Sequence, residues 1–201
     1  MEFVFPLLLA FFGWQYVKVQ EQRQRIALLG DYLGRFQIER LMENVTEGYL
    51  RALDEADAER RTQIWQLLGT AEQTLSTQFQ HFVADFSTVW GDKTLVSKLP
   101  IAMPYATKLF PQASFDVRQA LAIHARGIAA VAENRQALSL RDKAYMMSAE
   151  LFLMQHTCHW FCRSKAVASA RMLARHKTAY AQLLSAVSAN TRRDYGALVG
   201  V

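Results

Sequence analysis

The sequence predicts an all-α protein, with an N-terminal membrane helix continuing into an elongated bundle of about four long helices. Three observations carry this. Between Pro6 and Pro100 there is no proline. Apolar residues recur at spacings of three and four, the period of one helix face, rather than at two. The opening segment MEFVFPLLLAFFGWQYVKVQEQRQR holds an apolar run from Phe3 to Val17, broken by Gln15.

That run predicts a membrane anchor over residues 1–17, with Phe3, Phe5, Leu7, Leu8, Leu9, Phe11, Phe12 and Trp14 facing lipid. Glu2 precedes it and Lys18, Arg23 and Arg25 follow it, the reverse of the charge order in a cleavable signal peptide. Fifteen helical residues cover about 23 Å, short of a hydrocarbon core of about 30 Å. Spanning therefore requires Trp14 and Tyr16 at the interface and a snorkelling Lys18. The positive-inside bias predicts a single-pass protein with the bulk of the chain cytoplasmic, in the inner membrane if bacterial. A helix lying in the membrane plane, or one buried in a soluble oligomer, is the alternative.

With 201 residues, 51% hydrophobic and 20% charged, the composition is that of a folded chain and excludes a disordered one. The net charge of +5 divides unevenly. Residues 1–93 hold nine Lys/Arg against thirteen Asp/Glu, and residues 94–201 hold fourteen against five. The chain therefore divides into the anchor, an acidic helical region at 18–93, a proline-containing connector at 94–114 and a basic helical region at 115–201. The two helical regions are expected to pack as one domain. Their opposite charges either attract each other or leave a basic surface for lipid, nucleic acid or an acidic protein.

Ile26, Leu29, Leu33 and Phe36 form a first stripe, and Ile38, Leu41, Val45, Tyr49 and Leu53 continue it after a phase slip. DEADAERR at 54–61 reads as a turn or a solvent-exposed continuation of the helix, after which Ile64, Leu68, Leu75, Phe79, Phe82, Phe86 and Trp90 mark another apolar face. Thr70 and Gln73 resemble a capping box after Gly69, a possible break. Residues 91–114, with Pro100, Pro104 and Pro111, form a non-helical connection long enough that it should pack along the bundle or on the membrane. Ser114 is a reasonable N-cap for the next helix, which carries His124 in its stripe. Ser139 and Asp142 open a last helical segment without proline or glycine until Gly196, about 75 Å long if continuous from 140 to 190.

Within that segment MQHTCHWFCRSK concentrates ligand-capable side chains. Leu140, Ala144, Met147, Leu151, Met154, Cys158 and Phe161 follow a coiled-coil-like seam. Tyr145, Phe152, His156 and Trp160 lie opposite, so the helix should be central and buried on nearly all sides, both cysteines included. On a helical wheel Cys158 and Cys162 stand about 40° apart with His159 nearby. A zinc or haem site from Cys158, His159 and Cys162, completed by His124 or His81, is one reading. Packing is the stronger one: no second Cys/His pair exists, and C-H-x-x-C is not the haem order C-x-x-C-H. Glu150 stands six positions before His156, so no di-iron Glu-x-x-His arises. No phosphate loop, H-E-x-x-H or G-x-S-x-G occurs.

Arg163, Lys165, Arg171, Arg175 and Lys177 follow, with no acidic residue between Glu150 and Asp194. They form a candidate interaction surface. The reading is a noncatalytic, membrane-tethered helical protein without a cofactor. It would bind protein partners as an assembly, scaffold or regulatory subunit of a membrane complex. Membrane lipid, an unidentified protein and a second copy of the chain are the expected partners. A metal- or haem-binding sensor is the alternative, and nucleic-acid binding through the basic helix ranks below both, because the acidic half would repel phosphate.

Overall fold

The computed structural model describes residues 4–200, and among them the chain is mostly helical. Helix α1 (Val4–Leu33) runs unbroken from the apolar amino-terminal segment into the bundle. It ends at Gly34, and the chain re-enters a helix at α2 (Ile38–Asp54), so the phase slip in the apolar stripe is a physical break. Glu55 and Ala56 turn the chain into α3 (Ala58–Ser87), whose first turn is capped by the Asp57 carboxylate accepting from Arg60 N at 2.8 Å. This helix passes through Gly69 without interruption. Thr70 caps nothing, because the apolar face from Leu68 to Phe86 packs continuously and holds the backbone helical.

Residues 91–114 are more structured than the prolines imply. They hold the short helices α4 (Gly91–Thr94) and α5 (Ala106–Leu109), a 3₁₀ turn at Pro111–Ala113, and strand β1 (Leu95–Ser97). Strand β2 (Ser114–Asp116) pairs antiparallel with β1, with Val96 opposite Phe115. Ser114 is thus a strand residue. The cap of α6 (Val117–Ala132) is Asp116, which accepts from Arg118 N at 2.9 Å and pairs with the same residue's guanidinium. This connector packs along the bundle. Trp160 Nε1 donates to Ser97 O at 2.9 Å, Ala166 N to Pro100 O at 2.9 Å, and Tyr105 N to Glu21 of α1 at 3.1 Å.

The last segment is not one long helix. It divides into α7 (Leu140–Cys162), α8 (Lys165–His176), α9 (Tyr180–Ala186) and α10 (Ala189–Val199). The breaks have local causes. Ser164 caps α8, Lys177 takes a left-handed conformation (φ 53°) at its end, and Ser188 caps α10. Serines that bond the backbone in this way stop a helix without proline or glycine. The bundle is accordingly shorter and more folded back than four long rods.

Helix α7 is the centre of the fold. It packs against α6, α8, α9, α1 and α2. Ala144, Met147, Leu151, Met154 and Phe161 of the seam are buried, as are His156 and Trp160 opposite them, although Leu140 and Tyr145 are exposed. Phe79, Phe82 and Phe86 of α3 stack into the same core, and Phe86 meets Phe161 edge-on at 6.2 Å. One ion pair joins the acidic and basic halves: Lys143 of α7 binds the buried Glu72 of α3, which also accepts from Tyr49 OH at 2.5 Å.

Among the described residues no helix is long and apolar enough to cross a membrane. The spanning part of the expected anchor is therefore not supported by this helix. Gln15, Lys18, Gln20 and Glu21 enter α1 before the apolar run has covered a bilayer, and the second half of the helix belongs to the bundle. Phe3 and the side chain of Phe5 lie outside what is described.

Candidate functional site

Two consecutive helices and a third distant in sequence converge on one groove of about 310 Å³. Helix α1 contributes Ile26, Leu29, Gly30 and Leu33 to its wall, and α2 contributes Ile38 and Met42. Helix α7 contributes Met154, Cys158 and Cys162. The cause is the break at 34–37. It lets α2 diverge from α1 rather than continue it, and the space between them is roofed by α7. His159 of α7, Arg163 in the break after it, Arg171 of α8 and Glu39 of α2 also line it.

The groove opens beside a second depression of about 480 Å³, with which it shares Gln155, His159 and Arg171. Arg175 and His176 complete the second one. Arg171 donates to His159 Nδ1 at 3.3 Å, and His176 Nε2 lies 3.0 Å from Gln155 Oε1. Phe152 stacks on the His176 ring at 3.9 Å and fixes its plane. The local potential is positive: burial lowers the His159 pKa first, and Arg171, Arg175 and His176 lower it further.

The five basic residues of the predicted surface do not share a face. Arg171 and Arg175 project into solvent from α8. Arg163 sits in the α7–α8 break and donates to Gln22 of α1 at 2.6 Å. Lys165 turns inward, its ammonium 5.1 Å from the rings of both Trp160 and Tyr180. Lys177 is the left-handed end of α8 and donates to Ala174 O at 3.1 Å. Among the described residues none of the five forms an ion pair with an acidic side chain. The basic stretch is therefore not neutralised by the acidic half.

Nor do Cys158, His159 and Cys162 converge. Among the described residues no three His, Cys, Asp or Glu side chains are placed to hold a metal ion. His159 turns to Arg171, and the Cys158 sulfur lies 3.9 Å from Met154 Sδ. His124 is buried against Thr157 in the core, and His81 is exposed on α3. The cysteines are free and half-buried, edging the groove rather than enclosed in the core. Burial pushes the Cys162 thiol up to about 11 despite Arg25, Arg163 and Arg171 nearby, and raises Cys158 further. Neither is an activated thiolate.

The remaining histidines belong to a buried polar network. His124 Nε2 lies 2.8 Å from Thr157 Oγ1, which lies 3.0 Å from Tyr195 OH. His156 Nε2 lies 3.0 Å from Ser169 Oγ, and its ring stacks on Tyr180 at 4.4 Å. Burial lowers His124 to about 3 and His156 to about 4, so both are neutral. Glu150 accepts from Ser188 N at 3.0 Å, at the positive end of α10. Its carboxylate fits because Gly127 faces it from α6; a Cβ there would come within 2.5 Å of Glu150 Oε2. Burial raises the Glu150 pKa, and Ser188 and Thr191 oppose that rise. These groups clasp α9 and α10 to the bundle.

A second surface is apolar. From Pro6 to Trp14 every residue of α1 is exposed, with Leu7 at 68% and Phe12 at 63%. Beside the emerging helix the connector exposes Ile101 and Tyr105, and Leu109 and Phe110 follow one turn later.

Sequence reasoning missed the α1 and α2 side of the groove and His176. The stripe of Ile26, Leu29 and Leu33 was visible, but which helix it faced depended on an angle at 34–37 that periodicity does not carry. Comparison with protein-family models, curated proteins and solved structures finds no match to this chain.

Proposed function

We propose that this protein is a noncatalytic helical module that attaches to a membrane surface and works there by binding. The exposed amino-terminal end of α1 carries this reading. Leu7, Leu8, Leu9, Phe11 and Phe12 spread over about 200° of the helix, and Pro6, Ala10, Gly13 and Trp14 fill the rest, so it has no polar side to present to water. Each would gain about 1.5–3 kcal/mol by leaving water, and patches of this kind mark interaction sites. The eleven residues from Val4 to Trp14 cover about 16 Å, which suits insertion into one leaflet rather than a crossing.

Two observations support lipid as the environment. Trp14 and Tyr16 stand at the end of the apolar stretch with Lys18 following, the order of an interfacial belt. The connector's exposed Ile101, Tyr105 and Leu109 flank the same helix and would meet the headgroup region. The neutral, enclosed histidines and unactivated thiols agree with a binding role rather than a catalytic one. Within a membrane complex the module would act as an assembly, scaffold or regulatory subunit.

Flotation with phosphatidylcholine–phosphatidylglycerol vesicles tests this. The full chain should float with the vesicles, and a chain lacking residues 1–17 should remain at the bottom while keeping its helical circular dichroism. Equal flotation of both would overturn the reading. A lipid-independent dimer lost on the same deletion would instead make the α1 end a protein interface.

A further inference from the structure

We infer that the groove between α1, α2 and α7, together with the basic depression on α8, binds a single-chain amphiphile with an anionic headgroup. The chain would lie along Leu29, Ile38, Met42 and Met154, and the headgroup would sit between Arg171 and Arg175. This adds a ligand to the membrane module proposed above and rests on the groove alone, not on the α1 end.

Three observations select this occupant. The first is size: about 310 Å³ is at the lower end for a small-molecule pocket, room for a single small ligand. The second is polarity, which is segregated. The floor is apolar, whereas His159 and Arg171 stand where the groove meets the second depression, with Arg175 and His176 beyond. The third is unanswered charge. No carboxylate lines the second depression, Glu39 is the one acid at the first, and neither Arg171 nor Arg175 has an acidic partner among the described residues. Two guanidiniums present forked donors suited to a phosphate or carboxylate. The positive field that depresses His159 is the field such an anion would relieve.

Gly30 supplies a clean test. It lines the groove, and a Cβ there meets nothing within 4 Å, so leucine would fill the space without straining α1. Dodecyl phosphate, below its micelle concentration, is titrated into the full chain by calorimetry. Expected is saturable one-to-one binding that inorganic phosphate does not reproduce and that neutral dodecyl maltoside shows at least about tenfold more weakly. Gly30→Leu should weaken both amphiphiles at least about tenfold, and Arg171→Ala with Arg175→Ala should weaken dodecyl phosphate alone. Binding should also slow alkylation of Cys162 at the groove edge. Unchanged affinity in Gly30→Leu, or equal affinity for the two amphiphiles, would overturn the assignment. Gly30→Leu leaves residues 1–17 intact, so its vesicle flotation reports on the α1 end separately.

Discussion

Two stretches of this chain carry apolar side chains around the whole helix, and they end in opposite environments. The middle of α7, from Ala144 to Phe161, is enclosed by five other helices. The first half of α1, from Pro6 to Trp14, is covered by none. What separates them is the packing around them: α1, α2, α6, α8 and α9 pack over α7, whereas the start of α1 runs past the end of the bundle. An all-round apolar helix states that water must be excluded, and the topology decides whether protein or lipid excludes it.

The largest expected effect comes from placing charge on the exposed stretch. Leu8→Asp combined with Phe12→Asp should abolish vesicle flotation, since the lost burial and added charge together cost about 5 kcal/mol or more. Basic residues contribute about 1 kcal/mol each near an anionic surface. Apolar insertion therefore dominates, and flotation of the unaltered chain should survive high salt. Dissociation at high salt would make the basic residues the attachment instead.

Stability separates the same two stretches more sharply. Leu151, fully buried on α7, should cost about 2–5 kcal/mol on replacement by alanine. Leu8→Ala should change the unfolding free energy by less than about 0.5 kcal/mol, because Leu8 touches solvent in the free protein. Denaturant titration of both variants checks this. A comparable loss for Leu8→Ala would show that the α1 end is packed in solution.

How much of this was legible in the sequence follows from what periodicity measures. It reports how apolar residues are distributed around a helix, so the helical class, the burial of α7 and the exposed polarity of 54–61 were readable. It does not report angles between helices. The groove depends on the turn at Gly34–Gln37, and the basic residues divide because the break at Ser164 cuts Arg163 off from α8 and because Lys165 lies on the α8 face turned toward Trp160 and Tyr180. The breaks at Ser164 and Ser188 carry a visible signal, a serine whose hydroxyl meets the backbone N–H three residues on. A serine in a long apolar run reads equally well as a helical residue. Charge counted along one continuous helix groups Arg163 and Lys165 with Arg171, and it shows neither the helix end at Cys162 nor the inward face on which Lys165 lies.

Acid should probe the enclosed region and leave the exposed one untouched. His124 and His156 have folded pKa values of about 3 and about 4, below the ordinary 6.5. Between those values and 6.5 the unfolded chain binds protons that the folded chain does not, so stability falls as pH drops through that window. At pH 5 each histidine costs about 2 kcal/mol relative to neutral pH. Glu150 has the opposite sign: its raised pKa gives stability that is present at low pH and lost as pH rises past its ordinary value. Two histidines outweigh one carboxyl, so the unfolding midpoint should drop on acidification. His124→Gln should remove about half of that slope, and a pH-independent midpoint in the unaltered chain would contradict the enclosed network.

The smallest effect concerns the border between the two environments. Lys165 is adjacent in sequence to the exposed α8 residues, yet its ammonium lies over Trp160 and Tyr180, both tied to the core of α7. Its replacement by alanine should cost about 0.5–1 kcal/mol in stability. That loss should leave dodecyl phosphate affinity unchanged, whereas Arg171→Ala should do the reverse. Arg171 is exposed, so its removal leaves no buried group unpaired and should cost almost no stability. Calorimetry and denaturant titration on the two single variants would draw the line between structural and ligand-facing charge within α8, between Lys165 and Arg171. Equal behaviour of the two residues would erase that line and return the basic stretch to a single solvated face.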